Sequence, residues 1–549
     1  MLERELKLHV PASARTQIEE RLRTLGAQEQ QLRARYFDTA DRELARAGIA
    51  LRLRQEGEQW VQTAKAPGPD ELSRIELNHP RPGPELDLSV YQDTALGAVL
   101  AELSQTLCLR YETDVLRLKV IDKAPGHPHP GTLELAYDRG VIRAGDLILD
   151  ICELEFELLS GNVAALFQTG RQWMQDHDLV LDLRSKAERG DLLAQHMTNA
   201  DGNNSRAALR SAQHDYKHAM PGNGLRIDPY TRGLLRPQRA KATSLSQDMT
   251  TLQAYQACLA DCVNHVIRNA TLLAGVDNPG ASQALLGRYV HQLRVGMRRL
   301  RTCWRFFGKW VSIPLSDDQL RRYFALLGSV SDNDVLRFDI APRLAKAGMP
   351  PLLAPASREL ASPSDYDPRA LAASAPFQLY LLCLLEHLVT CADQAQADAM
   401  AVGAHWTAPA LQGEAAPEPA HARALGARLE KRLQKWLRQL CREGRDFSQR
   451  PESAQHDLRK KLKRLRYSLE FSASVLPQNR LADIRALLTP LQHAMGDLND
   501  MYNAWHYYAP LSRTEPAALF ALGWLRAMQD QLQRQIQGDL DRLEEACRR

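Results

Sequence analysis

The sequence predicts an α+β N-terminal domain, a closed antiparallel β-barrel or tunnel with flanking helices, followed by an all-α C-terminal domain of two pseudo-symmetric helical halves. Three observations carry this expectation. Segments of the first two hundred residues alternate charged with apolar side chains. Near residue 246 the chain becomes almost wholly helix-compatible. Within that helical half one basic segment occurs twice.

Successive strand side chains point to opposite faces. In Leu2–Leu8, Glu3, Glu5 and Lys7 therefore share one face, and Leu2, Leu6 and Leu8 lie mainly on the other. The habit recurs: Arg52 and Arg54 alternate in Leu51–Arg54, Arg117 and Lys119 in Leu116–Val120, Glu134 and Asp138 in Thr132–Arg139. Glu153, Glu155 and Glu157 alternate with Cys152, Leu154, Phe156 and Leu158. One such strand is a solvated face. Several, carrying both signs of charge, suit a barrel whose lumen is polar and whose outside packs under helices. A lumen mixing carboxylates with cations suits a metal-bound polyanion.

Strands are expected near 33–38, 49–55, 59–65, 73–78, 110–121, 131–142 and 146–158, with loops at 66–70, 80–84 and 123–130, where Pro and Gly cluster. Helical patterns run over 14–25, closed by Gly26, and over 162–177 and 185–197. The expected division is a tunnel domain at 1–200, a linker at 201–245 without sustained periodicity, and a helical domain at 246–549. Its halves fall at about 246–400 and 420–549, on either side of a loose stretch at 407–419.

The net charge of +4 over 549 residues makes any anion site a local cluster rather than a global field. Nine cysteines without a Cys-x-x-Cys pair read as reduced thiols, with Cys258 and Cys262 as buried helix positions. No signal peptide is expected, since a charged strand pattern begins at the first residues. The longest apolar run, Phe377–Leu385, stops at Glu386, short of the roughly 20 residues a span needs. A cytoplasmic protein without a membrane segment is expected. His127 and His129, in a Pro/Gly loop, read as incidental.

In the duplication, His291, Arg294, Arg298 and Arg301 match His456, Arg459, Lys463 and Arg466. At 100° per residue, each His and its three cations fall within an arc of about 80°. Leu293, Leu300, Leu458 and Leu465 lie on the opposite side. Each copy precedes an acidic turn, Gly328…Asp332 and Gly496…Asp500. Two such faces brought together form a cationic groove. Like charges repel there unless an extended anion fills it.

These residues also carry resemblances. The first 200 residues resemble a CYTH domain, the triphosphate tunnel metalloenzyme fold: Glu3, Glu5 and Lys7 match its Glu-x-Glu-x-Lys signature, Arg52 and Arg54 its early-strand Arg pair, and Lys65 its later-strand lysine. Glu153, Glu155 and Glu157 match its late acidic strand, and Ser185–Gly190 the helix bearing another phosphate-binding lysine. The C-terminal half resembles a CHAD domain, an all-helical polyphosphate-binding module, through His291, His456 and their basic followers. It departs in having Ser331 where a basic residue often precedes the first Asp.

The resemblance implies a metal-dependent inorganic triphosphatase that hydrolyses tripolyphosphate to diphosphate and phosphate. Glu3, Glu5 and Lys7 would form its catalytic signature. Arg52, Arg54, Lys65, Arg117, Lys119 and Lys186 would bind substrate, with Arg74 and Arg143 as weaker candidates. Glu3, Glu5, Glu153 and Glu155 would hold Mg²⁺ or Mn²⁺, hard ions that take oxygen ligands. Glu134, Asp138 and Glu157 are further ligands or arginine partners. Long-chain polyphosphate would occupy the duplicated basic faces, which extends the expected location to polyphosphate granules. Alternatives are a non-catalytic polyphosphate-binding or targeting protein and an organic-triphosphate enzyme of thiamine triphosphatase or adenylate cyclase type, with Trp60 as the available base-stacking aromatic. Nucleic-acid binding ranks last.

Overall fold

In the computed structural model, residues 2–123, 130–200, 225–226, 235–278, 280–313, 315–352, 367–401 and 422–548 are described. The His127–His129 loop, most of the 201–245 linker and the stretch at 407–419 lie outside them. The chain divides into two compact units: Met1–Pro237 with Ile267–Ser282 and Arg369–Thr390, and Gln238–Val266 with Gln283–Pro368 and Cys391–Arg549.

The first unit is built on eight antiparallel strands: β1 (Leu2–His9), β2 (Gln28–Asp38), β3 (Ala50–Glu56), β4 (Gln59–Pro67), β5 (Ser73–Arg81), β6 (Cys108–Asp122), β7 (Gly131–Ala144) and β8 (Leu147–Gly161). They pair in the order β8-β7-β6-β2-β3-β4-β5-β1, and β1 pairs back onto β8, closing the barrel. Closure rests on a register that faces Glu5 with Glu157, Lys7 with Glu155 and His9 with Glu153. The apolar alternates of β1 and β8, Leu6, Leu8, Leu154 and Phe156, are fully buried on the outer side. Helix α4 (Val163–His177) covers them, and a Cβ at its Gly170 would lie 2.4 Å from Leu6 Cδ2, so glycine sets that close approach.

The remaining helices of the barrel region are α1 (Arg15–Thr24), α2 (Glu43–Arg46), α3 (Ala95–Ala101) and α5 (Lys186–Ala200). The two short ones carry too few residues for a periodic signal. Strand β5 runs on through Pro80 to Arg81, where a loop was expected. Its pairing with β1 ends at Ile75, so Pro80 removes a donor only from the edge that β1 leaves.

The helices that follow are α6 (Thr251–Ala274), α7 (Gln283–Phe307), α8 (Asp317–Val335), α9 (Ala341–Lys346), α10 (Pro368–Ala373), α11 (Ala375–Ala401), α12 (Ala422–Gly444), α13 (Glu452–Phe471), α14 (Gln478–Leu511) and α15 (Pro516–Arg548). Cys258 and Cys262 are fully buried on α6, as expected. Two expectations fail. The Gly…Asp pairs are not turns: Gly328 and Asp332 lie inside α8, Gly496 and Asp500 inside α14. A spacing of four is one helical turn, and an isolated Gly costs a helix only about 1 kcal/mol. Within α11, Ala375–Ala395 is long and apolar enough to cross a membrane, because the pattern resumes beyond Glu386; 67% of its most apolar window is buried inside the protein.

Candidate active site

The inner face of the barrel gathers the charged alternates. Lys65 donates to Glu3 Oε2 at 2.7 Å and lies 3.2 Å from Glu76. Arg52 donates to the Tyr36 hydroxyl at 3.3 Å, and Arg54 to Glu56 at 2.6 Å. Arg117 grips Asp138 bidentately at 2.6 and 2.7 Å and reaches Glu155. Lys119, more exposed than the others, pairs with Glu134 at 2.8 Å. Lys186 opens α5, where the Ser185 hydroxyl accepts from the Glu188 N–H at 3.0 Å. That position sends its ammonium among Asp138, Glu153 and Glu155. The helix is seated by Gly190, where a Cβ would come within 2.3 Å of the Tyr111 ring, and Tyr111 stacks on Tyr36 with centroids 4.7 Å apart.

The carboxylates separate into two groups by their charge environment. Glu155 is held well below the ordinary carboxylate range: burial opposes its charge, but Lys186, Arg117 and Lys7 outweigh it. Asp138 is lowered in the same way by Arg117 and Lys186. Glu3, Glu5 and Glu157 go the other way. Burial raises all three. Glu5 is raised further by Glu155, Glu157 by Glu134 and Glu5, and Glu3 reaches about 8 with Glu5 and Glu76 beside it, against the pull of Lys65. Glu76 falls to about 2, because Lys65, Glu3 and Arg52 outweigh its burial.

Glu3, Glu5 and Glu157 thus form a buried set of oxygen donors in which burial and carboxylate repulsion outweigh the nearby lysines, Lys65 on Glu3 among them. That is the environment a hard divalent cation satisfies. A second triad, Asp138, Glu153 and Glu155, offers oxygens within 4.8 Å of one another, but three cations already serve it. Lys186 bonds each member, Arg117 holds two, and Arg189 reaches Glu153 at 3.2 Å. A metal beside Glu3 is expected to release on the order of one proton per ion at pH 7, since a ligand must be deprotonated. Calorimetry in two buffers of different ionisation enthalpy measures this; heats independent of buffer would remove Glu3 from the ligand set.

In the second unit the duplicated faces lie on α7 and α13. His456 Nδ1 is 2.8 Å from Asn499 Oδ1, Arg294 donates to the Gly328 carbonyl at 3.3 Å, and the Arg294 guanidinium sits 4.8 Å from the Phe324 ring centroid. Arg301 is neutralised by Asp317 at 2.6 Å, and Arg466 lies 3.5 Å from Glu470. The centre is crowded with cations. Burial pushes Lys463 down to about 6, helped by Arg298, Arg459 and Arg294 and opposed by Asp500. His291 is lowered by burial and then by Arg298, Arg294 and Lys463. The cations of the two copies therefore act on one another.

A family model for the CYTH domain matches residues 1–190, and one for the CHAD domain matches residues 257–509. The chain carries a CYTH domain and a CHAD domain. Over 165 residues it is 33% identical to an inorganic triphosphatase of Haemophilus influenzae, a stretch covering 29% of this chain and 44% of that relative. The match thus spans less than half of the relative's length. Among solved structures, the CHAD domain of the plant Ricinus communis aligns with TM-score 0.40 and 24% identity over 56% of this chain and 96% of that one. A candidate adenylyl cyclase from Hippeastrum, for which a dominant triphosphatase activity is stated, aligns with TM-score 0.25 and 17% identity over 34% of this chain and 93% of that one.

Of the residues expected at the CYTH site, the tunnel gathers Glu3, Glu5, Lys7, Arg52, Arg54, Lys65, Arg117, Lys119, Glu155 and Lys186. Glu153 lies further along β8, opposite His9, and is shared by Lys186 and Arg189. Arg74 donates to the backbone carbonyls of Ser73 and Glu71, and Arg143 is exposed. Trp60 falls on the opposite face of β4 from Lys65, because the two are an odd number of positions apart along the strand. Sequence reasoning missed Glu76, Tyr36 and Arg189. Glu76 was findable from the alternation of Arg74, Glu76 and Asn78. Arg189 stood within the Ser185–Gly190 motif without a role.

Proposed function

We propose that the chain is a metal-dependent triphosphatase that splits tripolyphosphate into diphosphate and phosphate, with a polyphosphate-binding CHAD domain. The observation that carries this reading is the tunnel's division of charge. Arg52, Arg54, Arg117 and Lys186 supply cations for phosphate oxygens, while Glu3, Glu5 and Glu157 remain carboxylates raised by burial and by one another's charge even with Lys65 beside Glu3. A pure anion receptor gains nothing from buried carboxylates that repel its ligand. The similarity to the Haemophilus influenzae inorganic triphosphatase supports the same reading.

Mg²⁺ or Mn²⁺ held by Glu3, Glu5 and Glu157 would supply Lewis-acid stabilisation and an acidified water. The protein's own part is positional. Arg52 and Arg54 offer fork geometry to phosphate oxygens, and Tyr36 and Glu76 fix Arg52. Phosphoryl transfer needs positioning and charge stabilisation, so no covalent nucleophile is required. The placement of Trp60 away from the lumen favours an inorganic substrate over an organic triphosphate. For the CHAD domain, the depression of both Lys463 and His291 by burial and by Arg298 and Arg294 marks a place where an anion would relieve repulsion. Phosphate release from tripolyphosphate by the full chain, with Mg²⁺ and then with excess EDTA, tests the catalytic reading. EDTA-sensitive release is expected; release that survives EDTA would contradict it.

A further inference from the structure

Beyond the lumen, the first unit contains a chain of ion pairs whose side chains, from Asp182 to Glu153, are all more than nine-tenths buried. Asp182 holds Arg184 at 2.8 Å, and Arg184 lies 3.0 Å from Asp277. Asp277 accepts from Arg189 at 2.7 Å. Arg189 also donates to the Asp150 carbonyl at 2.6 Å and reaches Glu153 at 3.2 Å. Glu153 in turn holds Lys186, which is shared with Asp138 and Glu155. Asp277 is distant in sequence from the barrel and falls inside the stretch that matches the CHAD domain. It nevertheless belongs to the compact unit of the barrel, through Ile267–Ser282. Its backbone adopts φ 62°, a left-handed conformation that non-glycine residues seldom occupy.

The charge of Arg189 is divided between two carboxylates, Asp277 and Glu153. If Asp277 lost its charge, Arg189 would draw wholly on Glu153, and Glu153 would relax its hold on Lys186. If Arg189 lost its charge instead, Glu153 would turn wholly to Lys186. Resting on the tunnel's reading as a polyphosphate site, we propose that Asp277 is a positioning residue of that tunnel: it sets, through Arg189 and Glu153, how firmly Lys186 is held away from a phosphate anion.

The sign of the effect separates this role from structural damage. Asp277→Asn frees Lys186 from part of one carboxylate by turning Arg189 wholly to Glu153. The affinity of the full chain for tripolyphosphate should rise about three- to tenfold. Arg189→Gln should shift it by a similar factor the other way. Glu153→Gln should mimic Asp277→Asn, and the double variant Glu153→Gln/Asp277→Asn should bind no more tightly than Glu153→Gln alone. Isothermal calorimetry with tripolyphosphate and Mg²⁺ reads all four. Weakened binding in both Asp277→Asn and Arg189→Gln, or independent effects of Asp277→Asn and Glu153→Gln, would overturn the proposal. If Asp277→Asn does not fold, the sign for Arg189→Gln and the tightening by Glu153→Gln decide it alone. Because the readout is binding, wild-type protein that binds without releasing phosphate would defeat the hydrolase reading and leave this one standing.

Discussion

Replacing Glu5 by Gln is expected to lower metal-dependent phosphate release by about 10²–10³-fold, the scale for removing one electrostatic element of a transition-state site. The substitution keeps the side chain's shape and removes its charge. In the metal-free protein it should also stabilise the fold. Burial and Glu155 raise the Glu5 carboxyl above its ordinary value, so the folded state holds a proton more tightly than the unfolded state. Stability contributed by that group is therefore lost as pH rises through and beyond the ordinary carboxylate range. At pH 7 the metal-free Gln variant should melt higher than wild type, with the difference vanishing near pH 4. Polyphosphate binding by the CHAD domain should be unchanged. A variant less stable than wild type at pH 7 would show that Glu5 is satisfied without a metal.

The second large effect concerns the paired basic faces. Wild-type affinity for long-chain polyphosphate should fall about 10³-fold between 50 and 200 mM salt, the scale for a polyanion meeting six or more cations. Replacing both Arg298 and Arg459 by Gln should reduce the slope of that dependence by roughly two contacts. Lys463 adds a pH signature. Its folded-state value of about 6 lies below the ordinary lysine range, so it costs the fold stability as pH falls from about 10 towards 6, and a bound anion reverses this. Binding at pH 7.5 should take up protons, visible as buffer-dependent heats. A salt-insensitive affinity, or binding without proton uptake, would contradict the groove.

What the sequence made legible follows from how each signal is carried. The barrel strands were readable because β1, β3, β6 and β8 expose one charged face to the lumen, and a period of two survives without any partner in view. The two basic helices were readable from their exact register, and the lowering of Lys463 by Arg298 and Arg294 of the other copy agrees with it. Glu76 and Tyr36 were obscured because each is a single residue whose meaning depends on its cross-strand neighbours. Glu153 stood on the right face of the right strand, yet its partner Arg189 is itself held by Asp277, some 88 residues further along the chain. No local pattern encodes such a contact. The Gly…Asp pairs misled for the opposite reason: glycine beside acidic residues suggests a turn, and only the surrounding helix shows otherwise.

The most direct test of the central claim is the rate of phosphate release by the full chain from tripolyphosphate, ATP and thiamine triphosphate, each with Mg²⁺, with Mn²⁺ and with EDTA. A kcat/KM for tripolyphosphate well above the other two, abolished by EDTA, is the predicted result. Equal or faster turnover of an organic triphosphate, or no turnover with either metal, would contradict it.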